Sequence, residues 1–197
     1  HLEDEHALQG YFTNRITRYL TAHGRRAIGW NQVLDPHLEP SACLQYWLGS
    51  KKKIAAALRT GRQVIMSSYL DTYLDHGYSL MPLSRAYNYE PVPAGLDARA
   101  SVNVLGMEFP LWSEWVPDQN RLEYQTYPRL LAMAESGWTP ADRKDLDGFR
   151  QRLIQLLKRL DHLGVQYAPL SEVEPPFFRR WFGLFTIPLQ ARKTSST

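Results

Sequence analysis

Aromatic and acidic side chains recur in this sequence just after short apolar segments, and their types suit the binding of a sugar. Aromatic rings stack on sugar rings, a carboxylate accepts hydrogen bonds from hydroxyl groups, and a phenol can donate one to a carbonyl oxygen. The chain of 197 residues contains six Trp and eleven Tyr, more than a core of this size usually needs. The residues in this pattern are Trp30, Trp47, Tyr73, Asp75, Trp112 and Glu114.

Each of these residues also has a simpler interpretation. A single Trp at the end of a strand is more often a core residue than a platform for a ligand, and a carboxylate in a loop is usually solvated. Tyr73 could equally be a packing residue. Three Trp at equivalent ends of different strands nevertheless favour a shared aromatic box over three separate core residues. Such a box would fit a small apolar group such as an acetamido methyl.

The elements that must position these residues alternate between strands and helices. Apolar residues recur at helical spacing from Leu8 to Leu20, where Gly24 follows as a stop signal, and a second helix is predicted at residues 51–60. Buried strands are predicted at residues 27–30, 42–47, 64–67 and 104–111. Strands that alternate with helices pair in parallel. The sequence therefore predicts an α/β fold: half of a (β/α)8 TIM barrel, with about four parallel strands and flanking helices.

This fold gives the candidate residues a common location, because active sites in parallel α/β barrels lie at the carboxyl ends of the strands. It also leaves a problem of exposure. Half of a barrel exposes two strand edges and the apolar interior face. We therefore expect a missing N-terminal half-barrel, or a second copy in a homodimer, to cover them.

The rest of the chain is predicted to connect and flank the strands. A long connection rich in Tyr and Pro covers residues 68–102, and connections of this length are usually functional. Helices are predicted at residues 122–137, with Pro128 near a first turn or at a kink, and from about residue 142 to 163. We divide the chain into residues 1–170, the half-barrel, and residues 171–197, an irregular tail. The aromatic residues of this tail could cover the flank of the barrel or contact a neighbour; they are Phe177, Phe178, Trp181 and Phe182.

Composition excludes several classes of function. The net charge of +3 and the pI of about 9.0 come from basic residues spread among acids, so we predict no nucleic-acid partner. No apolar run approaches the roughly 20 residues of a membrane span, and the polar, acidic N-terminus is unlike a signal peptide, so we predict no membrane partner and leave the compartment open. The lone Cys43 is expected to be a small core residue.

No metal or other cofactor is expected, because the six His residues show no ligand spacing. The adjacent Asp4 and Glu5 look like the paired acids of a glycosidase. Their position directly before a helix instead favours a capping or solvated role.

Seven stretches of the sequence, in order, resemble the second half of the catalytic barrel of a family 20 glycoside hydrolase, a β-N-acetylhexosaminidase. The resemblance extends from Leu8 to Tyr167. The stretches are LQGYFTNRITRYLTAHGRRAIGWNQVLD, LQYW, VIMSSYLDTYLDHGY, YNYEPVPAGL, VLGMEFPLWSEWV, YPRLLAMAESGW and RLDHLGVQY.

The resemblance implies a role for each candidate residue. It matches Trp30, Trp47 and Trp112 to the tryptophans around the N-acetyl group. It matches Tyr73 to the tyrosine that hydrogen-bonds the acetamido oxygen, and Asp75 and Glu114 to acids that hold sugar hydroxyls. Of two Tyr-Leu-Asp triplets, the one at Tyr73 lies at the family's distance from the strand.

The resemblance also implies a retaining, substrate-assisted reaction, in which the acetamido oxygen of the substrate attacks the anomeric carbon. In such enzymes an adjacent Asp-Glu pair supplies the general acid and orients the acetamide. The sequence has no Gly-Gly-Asp-Glu string, and loss of a general acid typically removes about 10²- to 10⁴-fold of rate. A smaller departure is Asn31-Gln32, where relatives often carry Asp-Glu.

Three hypotheses follow. The first is a hydrolase that releases terminal, non-reducing β-linked N-acetylhexosamine from an amino-sugar glycan, in which this chain supplies the sugar pocket and is inactive on its own. The second is a non-catalytic or degenerate half-barrel that binds amino sugars. The third is an obligate structural half that is insoluble or dimeric alone.

Overall fold

The structure is a computed structural model, and it describes residues 4–179. These residues form two compact units. The first comprises residues 4–67 and 91–107, and the second comprises residues 68–90 and 108–179. Within this range, no helix combines the length and the apolar character that crossing a membrane would require.

The first unit contains a parallel sheet of four strands in sequence order. The strands are β1 (Ile28–Trp30), β2 (Cys43–Tyr46), β3 (Val64–Met66) and β4 (Val104–Met107). The register pairs Gly29 with Leu44, Leu44 with Val64, and Val64 with Val104. The predicted parallel pairing is therefore confirmed.

One face of this sheet is packed and the other is partly open. Leu44 and Val64, from the packed face, join Ile54 and Leu58 of helix α2 (Lys51–Arg59) in an apolar core. A short helix, α5 (Ala98–Ser101), also belongs to this unit. Leu105 alternates with Val104, which packs against this core, and Ile28 lies in β1; both Ile28 and Leu105 are about half-exposed. The strands thus bury one apolar face and leave apolar side chains on the other.

Helix α1 (Glu5–Ala22) forms where the spacing predicts it, but it buries polar side chains instead of its apolar ones. Its buried residues are Asn14 and Thr17. Asn14 donates to the carbonyl of His37 and accepts from the backbone N–H of Glu39, which fixes the polar side of the helix inward. Apart from the half-buried Leu20, the large apolar residues of the helix remain exposed; they are Leu8, Tyr11, Phe12, Ile16 and Tyr19.

The second unit is helical. Its longer helices are α6 (Gln119–Thr126), α7 (Arg129–Trp138) and α8 (Leu146–His162), and its shorter ones are α3 (Tyr69–Thr72) and α4 (Leu83–Tyr87). Met81, Met133, Phe149 and Leu153 are among the residues of its apolar core. This core holds the segments that contain Tyr73 and Trp112.

The prediction of a strand over residues 104–111 was too long, because β4 ends at Met107. Pro110 has no N–H to donate to a sheet. Its carbonyl instead accepts a hydrogen bond of 2.8 Å from the backbone N–H of Leu74. The other strands are shorter than predicted by a residue or two at their ends.

The predicted helix over residues 122–137 is two helices, α6 and α7, which Tyr127 and Pro128 separate. The predicted helix from residue 142 begins later, at Leu146, because Asp145 caps it by accepting from the backbone N–H of Gly148. The predicted long connection over residues 68–102 contains three short helices, α3, α4 and α5.

Two local predictions are confirmed. Asp4 is the N-cap of α1, since its carboxylate accepts from the backbone N–H of Ala7 at 2.8 Å, and Cys43 is a buried, free thiol. The predicted tail is described only in part: Phe177 and Phe178 are exposed, whereas Trp181 and Phe182 lie outside the described residues.

Candidate functional site

Tyr73 is held in the second unit directly after α3. Asp71 of that helix accepts from the guanidinium of Arg85 at 2.8 and 3.0 Å, which ties α3 to α4. The indole N–H of Trp112 donates to the Tyr73 hydroxyl. Burial raises the pKa of Tyr73 to about 12, against the lowering effect of Trp112. The phenol therefore keeps its proton near neutral pH and can donate it in a hydrogen bond.

Asp75 lies two residues further along and has an incompletely bonded carboxyl group. Its Oδ1 is buried and has no hydrogen-bond partner within residues 4–179. Burial, with a smaller contribution from the nearby charge of Glu114, raises the pKa of Asp75 to about 6. A buried oxygen without a partner is rare in folded proteins, and a ligand with a hydroxyl group would satisfy it.

His76 packs with Tyr69 and Tyr73 and is held neutral. Its ring centroid lies 4.5 Å from that of Tyr69 and 6.0 Å from that of Tyr73. The Nε2 atom lies 2.7 Å from the carbonyl oxygen of Tyr69. Because a carbonyl only accepts, Nε2 donates this bond. Burial lowers the pKa of His76 to about 4, so the ring orients its neighbours without adding a charge at neutral pH.

The first unit contains the other two candidate tryptophans. The rings of Trp30 and Trp47 meet edge to face, with centroids 6.2 Å apart. Asn31 fixes the backbone between them: its Nδ2 donates to the carbonyl of Leu48 at 2.8 Å, and its Oδ1 accepts from the backbone N–H of Trp47 at 2.9 Å. An Asp at this position could make only the second of these bonds.

The predicted residues thus form two groups, one in each unit. Tyr73, Asp75, Trp112 and Glu114 interact within the second unit, whereas Trp30 and Trp47 pair within the first. Trp112 and Glu114 are exposed, and Trp30 and Trp47 are half-buried. The idea that all three tryptophans enclose one chemical group stays a prediction.

Within the described range, no three His, Cys, Asp or Glu side chains are grouped as ligands for a metal ion. The two groups of candidate residues offer hydrogen-bonding groups and aromatic rings. Both suit a neutral, partly apolar ligand.

Comparison with known proteins connects this arrangement to a family. The model of a family described as glycosyl hydrolase family 20, catalytic domain, matches residues 1–141. A β-hexosaminidase of Porphyromonas gingivalis is 40% identical over 185 residues, which are 87% of this chain and 24% of the relative. This chain belongs to glycosyl hydrolase family 20.

Solved structures of family 20 show the same fold. The exo β-N-acetylglucosaminidase of Vibrio harveyi, in complex with N-acetylglucosamine, superposes with a TM-score of 0.76 at 31% identity, covering 85% of this chain and 28% of that one. An enzyme of Streptomyces coelicolor gives a TM-score of 0.74 at 29% identity, with 83% of this chain and 36% of that one covered. The fold of the family 20 chain is therefore the predicted half of a (β/α)8 barrel.

The family 20 relatives are much longer than this chain. The chain spans 24% of the P. gingivalis protein and 33% of a β-N-acetylhexosaminidase of Cellulomonas fimi, to which it is 29% identical over 166 residues.

Sequence reasoning missed several residues of the second unit that support Tyr73 and Asp75. These are Tyr69, His76, Gln125 and Arg129, of which Gln125 and Arg129 are fully buried. One signal for Arg129 was present in the sequence. It lies at helical spacing from the apolar Ala132 and Met133, so it occupies the buried side of its helix, where a charged residue needs partners.

Proposed function

We propose that the complete protein hydrolyses terminal, non-reducing β-linked N-acetylhexosamine residues, and that this chain binds the acetamido sugar. Membership of family 20 supports the reaction class. The observation that carries the proposal is the buried Oδ1 of Asp75, which has no hydrogen-bond partner among the described residues and lies two residues after the protonated phenol of Tyr73. A sugar with hydroxyl and acetamido groups offers both the donor that Asp75 lacks and an acceptor for Tyr73.

Tyr73 is the catalytic residue that we assign to this chain. Its hydroxyl accepts from Trp112, which fixes the direction in which its own proton can donate. A hydrogen bond to the acetamido oxygen would hold that oxygen in place while it attacks the anomeric carbon in a retaining, substrate-assisted reaction.

The other candidates bind the sugar. The carboxylates of Asp75 and Glu114 accept hydrogen bonds from ring hydroxyls, and such charge-assisted bonds are stronger than neutral ones. Trp30, Trp47 and Trp112 contribute apolar surface for the acetamido methyl. We propose residues 1–170 as the C-terminal half of the catalytic barrel and residues 171–197 as a separate tail.

The acid and base of the reaction would come from outside these 197 residues. The sequence contains no Gly-Gly-Asp-Glu string, and Asp4 of the Asp4-Glu5 pair is engaged as the cap of α1. The partner we propose is a missing N-terminal half-barrel, or a second copy of this chain.

The same observation favours a second candidate function, an amino-sugar-binding half-barrel that does not hydrolyse its ligand. Titration with N-acetylglucosamine thiazoline, which imitates the cyclic intermediate, separates the two candidates when it is combined with an assay of an aryl N-acetylglucosaminide. Binding with turnover supports the hydrolase, and binding without turnover supports the binding module. No binding at all rejects both.

The role of Tyr73 is tested by Tyr73→Phe in the complete protein. Loss of one hydrogen bond to a reacting oxygen is expected to lower kcat on the order of 10²-fold, while the affinity for substrate falls less. Tyr19→Phe, on an exposed helix face, is the control and is expected to leave kcat unchanged. An unchanged kcat in Tyr73→Phe would reject the role.

A further inference from the structure

Arg129 is a fully buried arginine whose hydrogen-bond partners are mostly backbone carbonyls. It is the first residue of α7 and has 0% of its surface exposed. Its Nη2 donates to the carbonyl of Leu74 at 2.6 Å, and its Nη1 donates to that of His76 at 2.7 Å. The guanidinium also lies over the ring of Tyr78, 4.3 Å from its centroid.

Gln125 bonds the carbonyl that lies between the two that Arg129 holds. Its Nε2 donates to the carbonyl of Asp75 at 2.9 Å, and its Oε1 accepts from Nη2 of Arg129 at 3.3 Å. Gln125 is in α6 and, like Arg129, is fully buried. Two side chains that touch each other therefore hold three consecutive carbonyls, those of residues 74, 75 and 76.

A backbone N–H group of this short segment is also hydrogen-bonded. The backbone N–H of Leu74 donates to the carbonyl of Pro110 at 2.8 Å, in the stretch that precedes Trp112. The bonds from Gln125, Arg129 and Pro110 together determine where the backbone of residues 73–76 lies. They therefore also determine where the side chains of Tyr73 and Asp75 begin.

Stability alone does not account for a buried guanidinium at this position. Removing a charge from water is unfavourable, and apolar residues of similar volume often replace buried charges without loss of stability. What an apolar residue could not do is donate to several carbonyls of one loop at fixed angles.

We propose that Gln125 and Arg129 are positioning residues that set the place of Tyr73 and Asp75 in the sugar site. The proposal rests on the proposed function for its ligand, but its structural part does not. If it is correct, weakening either side chain loosens residues 73–76 and impairs sugar binding more than the accompanying loss of stability can explain.

The experiment compares Gln125→Met and Arg129→Lys with Leu153→Ala in the full-length protein. Gln125→Met keeps the volume but loses the donor to Asp75, and Arg129→Lys keeps the charge but loses the planar fork. Leu153→Ala is the control, because Leu153 is buried in the apolar core of the second unit and its truncation lowers stability through lost packing. Two quantities are measured: amide hydrogen exchange of residues 73–76, and the dissociation constant of N-acetylglucosamine thiazoline.

The two test variants are expected to exchange the amides of residues 73–76 roughly tenfold faster, with the exchange of α8 little changed. Their affinity for the thiazoline is expected to fall roughly tenfold or more, since small displacements of binding groups have large effects. Leu153→Ala is expected to melt at a lower temperature and to bind the thiazoline like the parent protein.

The outcomes separate the two proposals. Unchanged exchange at residues 73–76 in both variants overturns the positioning role whatever the ligand. Faster exchange with unchanged affinity also overturns it, because the loop would then not matter for the sugar. If the parent protein binds no thiazoline, the proposed function fails; the positioning of a sugar site fails with it, and faster exchange then shows only a structural clamp.

Discussion

The carboxyl group of Asp75 is partly buried, so its charged form is poorly solvated. Burial and Glu114 raise its pKa from 3.8 to about 6. Because the folded value lies above the unfolded one, the folded protein holds an extra proton between these two pH values. Stability from this group is therefore present at low pH and is lost as the pH rises through about 6. A ligand that donates to Asp75 would offset that loss.

Asp75→Asn is accordingly expected to raise the melting temperature at pH 7.5, where the parent carries a poorly solvated charge. The gain should shrink as the pH falls towards 4, since both proteins are then neutral at this position. Melting curves at several pH values measure the difference, and Asp142→Asn, at an exposed acid, is the control. A gain that is the same at pH 4 and pH 7.5 would contradict the raised pKa.

Asn31 is the second residue with a specific expectation, because it donates to Leu48 and accepts from Trp47. Asn31→Asp loses the donor and places a carboxylate against a carbonyl oxygen. The free energy of unfolding is expected to fall by about 1–3 kcal/mol. Urea denaturation measures it, with Gln32→Glu at the exposed neighbouring position as the matched control. Equal stability of the two variants would mean that the bond to Leu48 has no net effect.

Residue type and position pointed to six candidate residues, of which four interact with one another; their binding of a sugar stays a prediction. The grouping of Tyr73, Asp75, Trp112 and Glu114 follows the strand order and the aromatic pattern, and these four do interact. The bonds of Gln125 and Arg129 were not predictable, because they end on backbone carbonyls that any residue type provides. The inward orientation of Asn14 and Thr17 was unpredictable for a similar reason, since Asn14 bonds the backbone of His37 and Glu39.

Among the elements, β4 contains a glycine whose backbone conformation other residues rarely adopt. Gly106 has a φ of +143° and lies where the register with β3 shifts. A Cβ at this position would meet no atom within 4 Å, so any penalty for a side chain there comes from the backbone alone. Gly106→Ala is expected to destabilise the protein by about 1–3 kcal/mol.

The same substitution within α1 is expected to have the opposite sign. Gly10 has helical neighbours and open space around its Cβ position, so Gly10→Ala should stabilise by about 0.5–1 kcal/mol. Chemical denaturation of both variants measures the pair. A stabilising Gly106→Ala would show that the bulge does not need a positive φ.

Element types were predictable more fully than element ends. The four strands and the helical character of α1, α2 and α6 to α8 follow from apolar spacing, and the cap at Asp4 follows from residue type. The cap at Asp145 and the break between α6 and α7 were not predicted. The end of β4 was not predictable, since Pro110 is engaged by Leu74, which is distant in sequence. Propensity also did not reveal the short helices within residues 68–102, because four- or five-residue helices depend on tertiary packing.

For the whole molecule, the exposed apolar face of α1 has a consequence for association. Phe12 is 65% and Tyr19 62% exposed, and Leu8 lies on the same side of the helix. Exposed apolar patches of this kind mark contact surfaces. We expect the 197-residue chain alone to self-associate, as light scattering over a range of concentrations would show.

The double variant Phe12→Lys and Tyr19→Lys is expected to reduce this association. Its control is Trp138→Lys with Leu163→Lys, which adds the same charge at exposed apolar residues of the second unit. A parent chain that stays monomeric at all concentrations would contradict the expectation. The expectation would also be contradicted if the control pair reduced self-association as much as the α1 pair does.

The partners of Arg129 have a last consequence, for the acidity of the surroundings. The carbonyl oxygens of Leu74 and His76 that accept its bonds belong to peptide groups, which do not titrate. Burial lowers the pKa of Arg129 to about 10, so its guanidinium stays charged near neutral pH. Between pH 5 and 8 the hydrogen bonds from Gln125 and Arg129 to residues 74–76 therefore stay the same, while the carboxyl group of Asp75 changes its protonation. Acid should therefore remove the negative charge of Asp75, which then accepts only neutral hydrogen bonds, and should leave the bonds that hold its backbone unchanged.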